Sequence, residues 1–167
     1  MKRFILVVFL TLLGVGTVSE AKEELTTPNE KAMITSSVSL GYVVLYVKNV
    51  SASIGFYEKA FGLPRRFFND DKGKAYGELE TGAARLAFYS FELAKTQVKE
   101  FVAASPDKAP LGVEIALVTA DVPALFARAV KAGATVVSEP EAKPWGQTVA
   151  CVRDLDGHLI ELTSPLP

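Results

Sequence analysis

At 167 residues, 49% of them apolar and with a formal net charge of −1, the chain is long enough for one globular domain and too apolar for a disordered one. Eighteen Lys and Arg against nineteen Asp and Glu give no basic field, which argues against nucleic acid and anionic lipid as partners. The single cysteine, Cys151, excludes an internal disulfide.

Lys2 and Arg3 precede an apolar run, Phe4 to Val18, that ends in Ser-Glu-Ala at Ala21. This is the layout of a secretory signal peptide, residues 1–21, with cleavage expected after Ala21 and export to the periplasm or the medium. The run is about 15 residues, short of the roughly 20 that a spanning helix needs, so no membrane contact is expected after cleavage. An uncleaved membrane anchor is the alternative. Residues 22–37, polar and rich in Thr and Ser, read as a linker to a folded domain over 38–167.

In that domain the segment from Tyr42 to Gly62 is a strand, then Asn49 as a helix N-cap, then a helix with Val50, Ile54, Tyr57 and Phe61 on its apolar side and Gly62 as its stop. Glu114 to Gly133 repeats the plan 72 residues later, with Asp121 as the N-cap and Gly133 as the stop. Each helix is followed by three strand-like segments separated by turn signals at 70–73, 80–83 and 154–157. The chain therefore predicts two tandem βαβββ units, 40–91 and 112–165, joined by a connector over 92–111 that starts with a short helix, Leu93 to Ala103.

The stretch "LYVKNVSASIGFYEKAFGL", the second copy "ALVTADV" with "AGA", and the ending "EPEAKPWGQTVACVRDLDGHLIEL" resemble the vicinal oxygen chelate superfamily of glyoxalases, bleomycin-resistance proteins and extradiol dioxygenases. The resemblance runs from about Leu40 to Pro165 and implies an α+β fold in which two βαβββ units form a curved mixed-sheet cup. It also implies a homodimer with pockets near the subunit boundary. It does not choose a function, because one fold hosts many chemistries.

Metalloenzymes of that superfamily place His and Glu ligands on the first and last strands of both units. Carried over, those positions fall on Tyr42, Ala87, Glu114 and Glu161. Strand alternation supports the same set. Val43, Leu45, Val47, Leu86, Phe88, Ile115, Leu117, Ile160 and Leu162 share the parity that should face the helices, and the four candidates have the opposite one. Two carboxylates and a phenol, without imidazole, match Zn, Ni or Fe poorly, although Glu114 and Glu161 could serve a hard divalent ion. No cofactor is expected, with a divalent metal as the alternative.

His158, the only histidine, lies three residues before Glu161 on a strand, so the two point to opposite faces; it reads as a turn residue. Cys151 reads as a small buried apolar residue. Arg65 and Arg66 read as solvated strand-edge charge, and Asn49-Val50-Ser51 as a sequon whose Asn already caps a helix. A Gly-x-Ser-x-Gly elbow, a second histidine to act as base, and a phosphate-cradling glycine loop are all missing from the sequence.

The expected ligand-binding residues are Tyr42, Tyr46, Tyr89, Glu114, Trp145, Gln147 and Glu161. Tyrosines would wall the cup, Trp145 would stack at its mouth or else pack under the hairpin or at a subunit contact, and Gln147 would offer a two-sided hydrogen-bonding group. Glu114 and Glu161, facing each other, would share a proton with a raised pKa, favour a cationic, donor-rich ligand, or else be tied to Arg85, Lys or backbone donors. The expected function is an exported protein binding a small organic molecule without a histidine metal site. The alternatives are a glyoxalase-like lyase, isomerase or dioxygenase using Glu161 and Glu114 with a divalent metal, and a non-catalytic interaction module.

Overall fold

A computed structural model describes residues 38–167; the expected signal peptide and the expected linker lie outside the described residues. The described chain runs β1 (Tyr42–Val47), α1 (Val50–Phe61), β2 (Arg65–Asp71), β3 (Lys74–Leu79), β4 (Arg85–Ser90) and α2 (Phe91–Gln97). It continues with β5 (Glu114–Val118), α3 (Val122–Ala132), β6 (Thr135–Ala142), β7 (Thr148–Arg153) and β8 (Leu159–Thr163). Two four-stranded sheets result, ordered β1-β4-β3-β2 and β5-β8-β7-β6, each with its first strand parallel to its last and the remaining pairs antiparallel. The doubled α+β plan expected from the sequence is the fold.

Local chemistry sets the helix ends. The Asn49 side chain accepts from Ala52 N, and the Asp121 side chain from Ala124 N, so each helix begins with a satisfied N-terminal donor. Gly62 and Gly133 end the helices in the left-handed conformation, donating back to Glu58 O and to Ala129 O and Val130 O. The connector differs from expectation. Its helix, α2, begins at the Ser90 cap and stops at Gln97, because Val98 is extended and the chain then turns to set the Phe101 ring edge-on against Tyr46, 4.9 Å between centroids.

Val50, Ile54, Tyr57 and Phe61 of α1 pack against Leu45, Val47, Leu79, Leu86 and Phe88 of the first sheet. Each large side chain fully buried this way contributes about 1.5–3 kcal/mol. Gly77 of β3 allows the close approach, since a Cβ there would meet Ile54 Cδ1 at 2.2 Å. The same cluster continues into Val122, Ala129, Val152, Ile160 and Leu162, so both units share one core, and α1 packs on α3.

A polar network inside the "RDLDGH" turn ties the units together. Asp154 accepts from the Asp156 and His158 backbone amides, from Tyr57 Oη at 2.9 Å, and meets His158 Nδ1 at 3.0 Å. Asp156 accepts from Lys48 N and from Ser53 Oγ at 2.7 Å. Arg153 donates to the carbonyls of Gly157, Ser105, Pro106 and Lys108. Asp154, Asp156, His158 and Arg153 are all buried, yet each has partners, which is the condition for keeping charge and polarity inside. His158 is thus a turn residue, engaged with Asp154.

Candidate functional site

In both sheets one face lies against the helices, and side chains of the opposite parity form an open face. On the first sheet, strand register places Tyr42, Val44 and Tyr46 of β1 beside Arg85, Ala87 and Tyr89 of β4, with Glu78 and Tyr76 of β3 next, and Phe67 and Asn69 of β2 beyond them. Five aromatic rings cross this face in sequence. Phe67 and Tyr76 have centroids 6.0 Å apart, Tyr76 meets Tyr89 edge-on at 5.3 Å, Tyr89 stacks with Tyr46 at 6.0 Å, and Tyr46 meets Phe101. These spacings are the offset and edge-on arrangements that aromatic pairs prefer. Tyr46, Tyr76, Tyr89 and Phe101 are half-buried and so retain accessible surface.

Beside the rings, Glu78 accepts from Tyr76 Oη and lies 3.3 Å from Arg66 Nε and 3.6 Å from Arg85 Nε. Burial, followed by the hydrogen bond to Glu78 and that carboxylate's charge, holds the Tyr76 phenol well above its ordinary value, so it stays a protonated donor. Arg66 reaches Glu78 because it is the extra residue of a β-bulge between Arg65 and Phe67. Arg65 and Arg66 are indeed exposed on an edge strand, but Arg66 also pairs with Glu80 at 3.0 Å, and Arg65 with Glu58 at 3.1 Å.

On the second sheet, Glu114 and Ala116 of β5 share the open face with Glu161 of β8 and Cys151 of β7. Burial first, and Glu114 second, raise the Glu161 carboxyl above its ordinary value. Arg85 does not serve these carboxylates; its ion pair is with Glu78. Cys151 is half-buried on the open face beside Glu161, not in the core, because β7 alternates and the helix side is taken by Ala150 and Val152.

The expected residues therefore fall into separate groups. Tyr46 and Tyr89 come together. Tyr42, 51% exposed, lies under the Arg85 guanidinium at 5.6 Å. Glu114 and Glu161 form a second group. Trp145, 57% exposed and so not packed under the hairpin, donates to Gln147 Oε1, while Gln147 Nε2 donates to Ser164 O at 2.7 Å. Among the described residues no hydrogen bond, ion pair or ring contact joins the first open face to the second. Sequence reasoning missed Phe67, Tyr76, Glu78 and Phe101. The alternation in "KAYGEL" carried a signal for Tyr76 and Glu78, while the placement of Phe101 follows from the early end of α2.

The donor set does not suit the metal of the superfamily's metalloenzymes. At the four positions, Ala87 has no donor and is fully buried, and the Tyr42 hydroxyl faces Arg85 at 3.4 Å. Among the described residues no group of three His, Cys, Asp or Glu side chains gathers to hold an ion.

Residues 39–162 match the profile of the Glyoxalase/Bleomycin resistance protein/Dioxygenase superfamily. Among solved structures, a glyoxalase-related enzyme from Fulvimarina pelagi is similar at 23% identity and a TM-score of 0.66, over 76% of this chain and 88% of that one. A glyoxalase/bleomycin resistance protein/dioxygenase family enzyme from Burkholderia phytofirmans PsJN gives 19% identity and 0.63, over 76% and 98%. TioX from Micromonospora sp. ML1 gives 25% and 0.57, also over 76% and 98%. No curated protein matches the chain. The doubled βαβββ plan, the two open faces and the profile match over most of the chain agree: this protein belongs to the Glyoxalase/Bleomycin resistance protein/Dioxygenase superfamily.

Proposed function

We propose that this protein binds a small, planar, donor-rich organic molecule on its open faces and does so without a histidine metal site. The observation that carries the proposal is the row of rings Phe67, Tyr76, Tyr89, Tyr46 and Phe101, half-buried at its centre. A flat ligand would stack there, with the Tyr46 and Tyr89 hydroxyls as polar handles, and the Glu114–Glu161 pair would accept from its donors. The proposal includes export by the N-terminal segment and a homodimer, the latter favoured by exposed Val113, Val118, Val136 and Val137 on edge strands β5 and β6 or next to them.

The test is a thermal-shift screen of planar heteroaromatic compounds, followed by titration of the hits. Tyr89→Ala should weaken a hit at least about 10-fold, the equivalent of 1.4 kcal/mol. Equal affinity in Tyr46→Ala and Tyr89→Ala would remove the aromatic face from the proposal. Light scattering on the purified protein tests the dimer, and fractionation of expressing cells tests export.

A second reading rests on Glu161. A carboxyl whose value burial and then Glu114 raise suits a general acid or base, and a lyase or isomerase would use it there. Such an enzyme would lose turnover, and keep substrate affinity, in Glu161→Gln.

A further inference from the structure

Where β1 meets the connector lies a cleft of about 140 Å³, walled by Val44, Tyr46, Ala103, Leu111 and Val113 and by His158. It shares only Tyr46 with the row of rings, and no Asp, Glu, Lys or Arg lines it. An apolar cavity of about 150 Å³ takes up one benzene ring. The cleft therefore suits a neutral molecule of that size, since a charge there would lose water without gaining a counter-charge.

His158 gives this apolar space one directed polar group. Its side chain is 8% exposed, and its Nδ1 lies 3.0 Å from Asp154 Oδ2. A carboxylate only accepts, so Nδ1 carries the hydrogen, and the neutral ring holds its lone pair on Nε2. Asp154 is fixed in turn by Tyr57 Oη and by the backbone amides of Asp156 and His158, so the ring is oriented before any ligand arrives. Nε2, across the ring from Nδ1, points away from Asp154 and has no partner among the described residues. It is not sealed off either, because every enclosed side-chain nitrogen or oxygen of the described residues has a hydrogen bond. An unpartnered atom that still reaches solvent, on a side chain otherwise enclosed, is the part of His158 that opens on the cleft.

We propose that this cleft binds a small neutral phenol, its ring among Val44, Ala103, Leu111 and Val113 and its hydroxyl donating to His158 Nε2. The site does not rest on what the aromatic face binds.

The probes are phenol and fluorobenzene, a ring of similar size without a donor, titrated into the full chain. His158 is the sole histidine, so its imidazole nitrogen resonances are unambiguous. Phenol should shift the Nε2 resonance and the amides of Val44, Ala103 and Leu111, and should bind about 5-fold tighter than fluorobenzene. His158→Asn keeps a donor for Asp154 but removes Nε2, and should bring the two affinities together. Ala103→Leu fills the cleft and should weaken both probes at least about 10-fold. No binding of millimolar phenol, equal affinities in the parent, an unmoved Nε2 resonance, undiminished binding in Ala103→Leu, or a preference that survives His158→Asn would each overturn the proposal. Amide shifts confined to Tyr76 and Tyr89 would put phenol on the aromatic face, which overturns this proposal and leaves that of the aromatic face standing. If His158→Asn fails to fold, the Nε2 resonance and the phenol-to-fluorobenzene ratio of the parent decide alone.

Discussion

Tyr57 is fully buried, and its hydroxyl is one of four groups that satisfy Asp154. Burial first, then the Asp154 carboxylate, raise the phenol far above its ordinary value, so it remains a donor. Tyr57→Phe keeps the ring and its contacts with Phe56, Phe61 and Phe88, but leaves Asp154 short of a partner. The expected cost is about 1–3 kcal/mol in urea unfolding; a loss of a few tenths would mean that the network does not need this bond. Gly157 offers a paired comparison with Gly82. Both have left-handed φ, 93° and 91°, but a Cβ at Gly157 would lie 2.4 Å from the Ser105 carbonyl carbon, while at Gly82 nothing lies within 4 Å. Gly157→Ala should therefore destabilise far more than Gly82→Ala, by several kcal/mol against about 1. Comparable losses would show that strain in φ, not the close backbone approach, sets the cost.

At the scale of elements, the β5–β8 pair brings Glu114 and Glu161 onto one face, and among the described residues neither carboxylate has an ion-pair partner. A carboxyl whose value rises on folding is one whose ionised form the fold disfavours. The cost is absent at pH low enough for both folded and unfolded chains to hold the proton, and is fully present once the pH exceeds the raised folded value. Glu161→Gln should accordingly be as stable as the parent or more so at neutral pH, with the difference closing as pH falls through the carboxylate range. Greater instability of the variant at neutral pH would contradict this. The N-caps belong to the same scale: Asn49→Ala removes the acceptor for Ala52 N and should cost about 1 kcal/mol by the same measurement.

For the whole molecule, the shared core and the Asp154–Tyr57 and Asp156–Ser53 links bind the two units into one cooperative body. Far-ultraviolet dichroism and Trp145 fluorescence, which reports from the second unit, should give coincident unfolding curves. Separate transitions would mean that the units are stable alone. The repeated strand–cap–helix–glycine spacing was enough to read both units, their helices and the face parity of the strands, because periodicity and capping are local properties of the chain. The Tyr46 and Tyr89 part of the site was legible for the same reason. What sequence could not give depends on which strands become neighbours. The row from Phe67 to Phe101 exists only once β2, β3, β4, β1 and the connector are side by side. The bulge that swings Arg66 onto Glu78, where that carboxylate also meets Arg85, follows from register. By itself, then, the sequence determined the family, the doubled fold and the alternation of faces, all set by short-range pattern. Only the tertiary structure decided which side chains share a surface and which charges remain unpaired, because those depend on strand order and inter-unit packing.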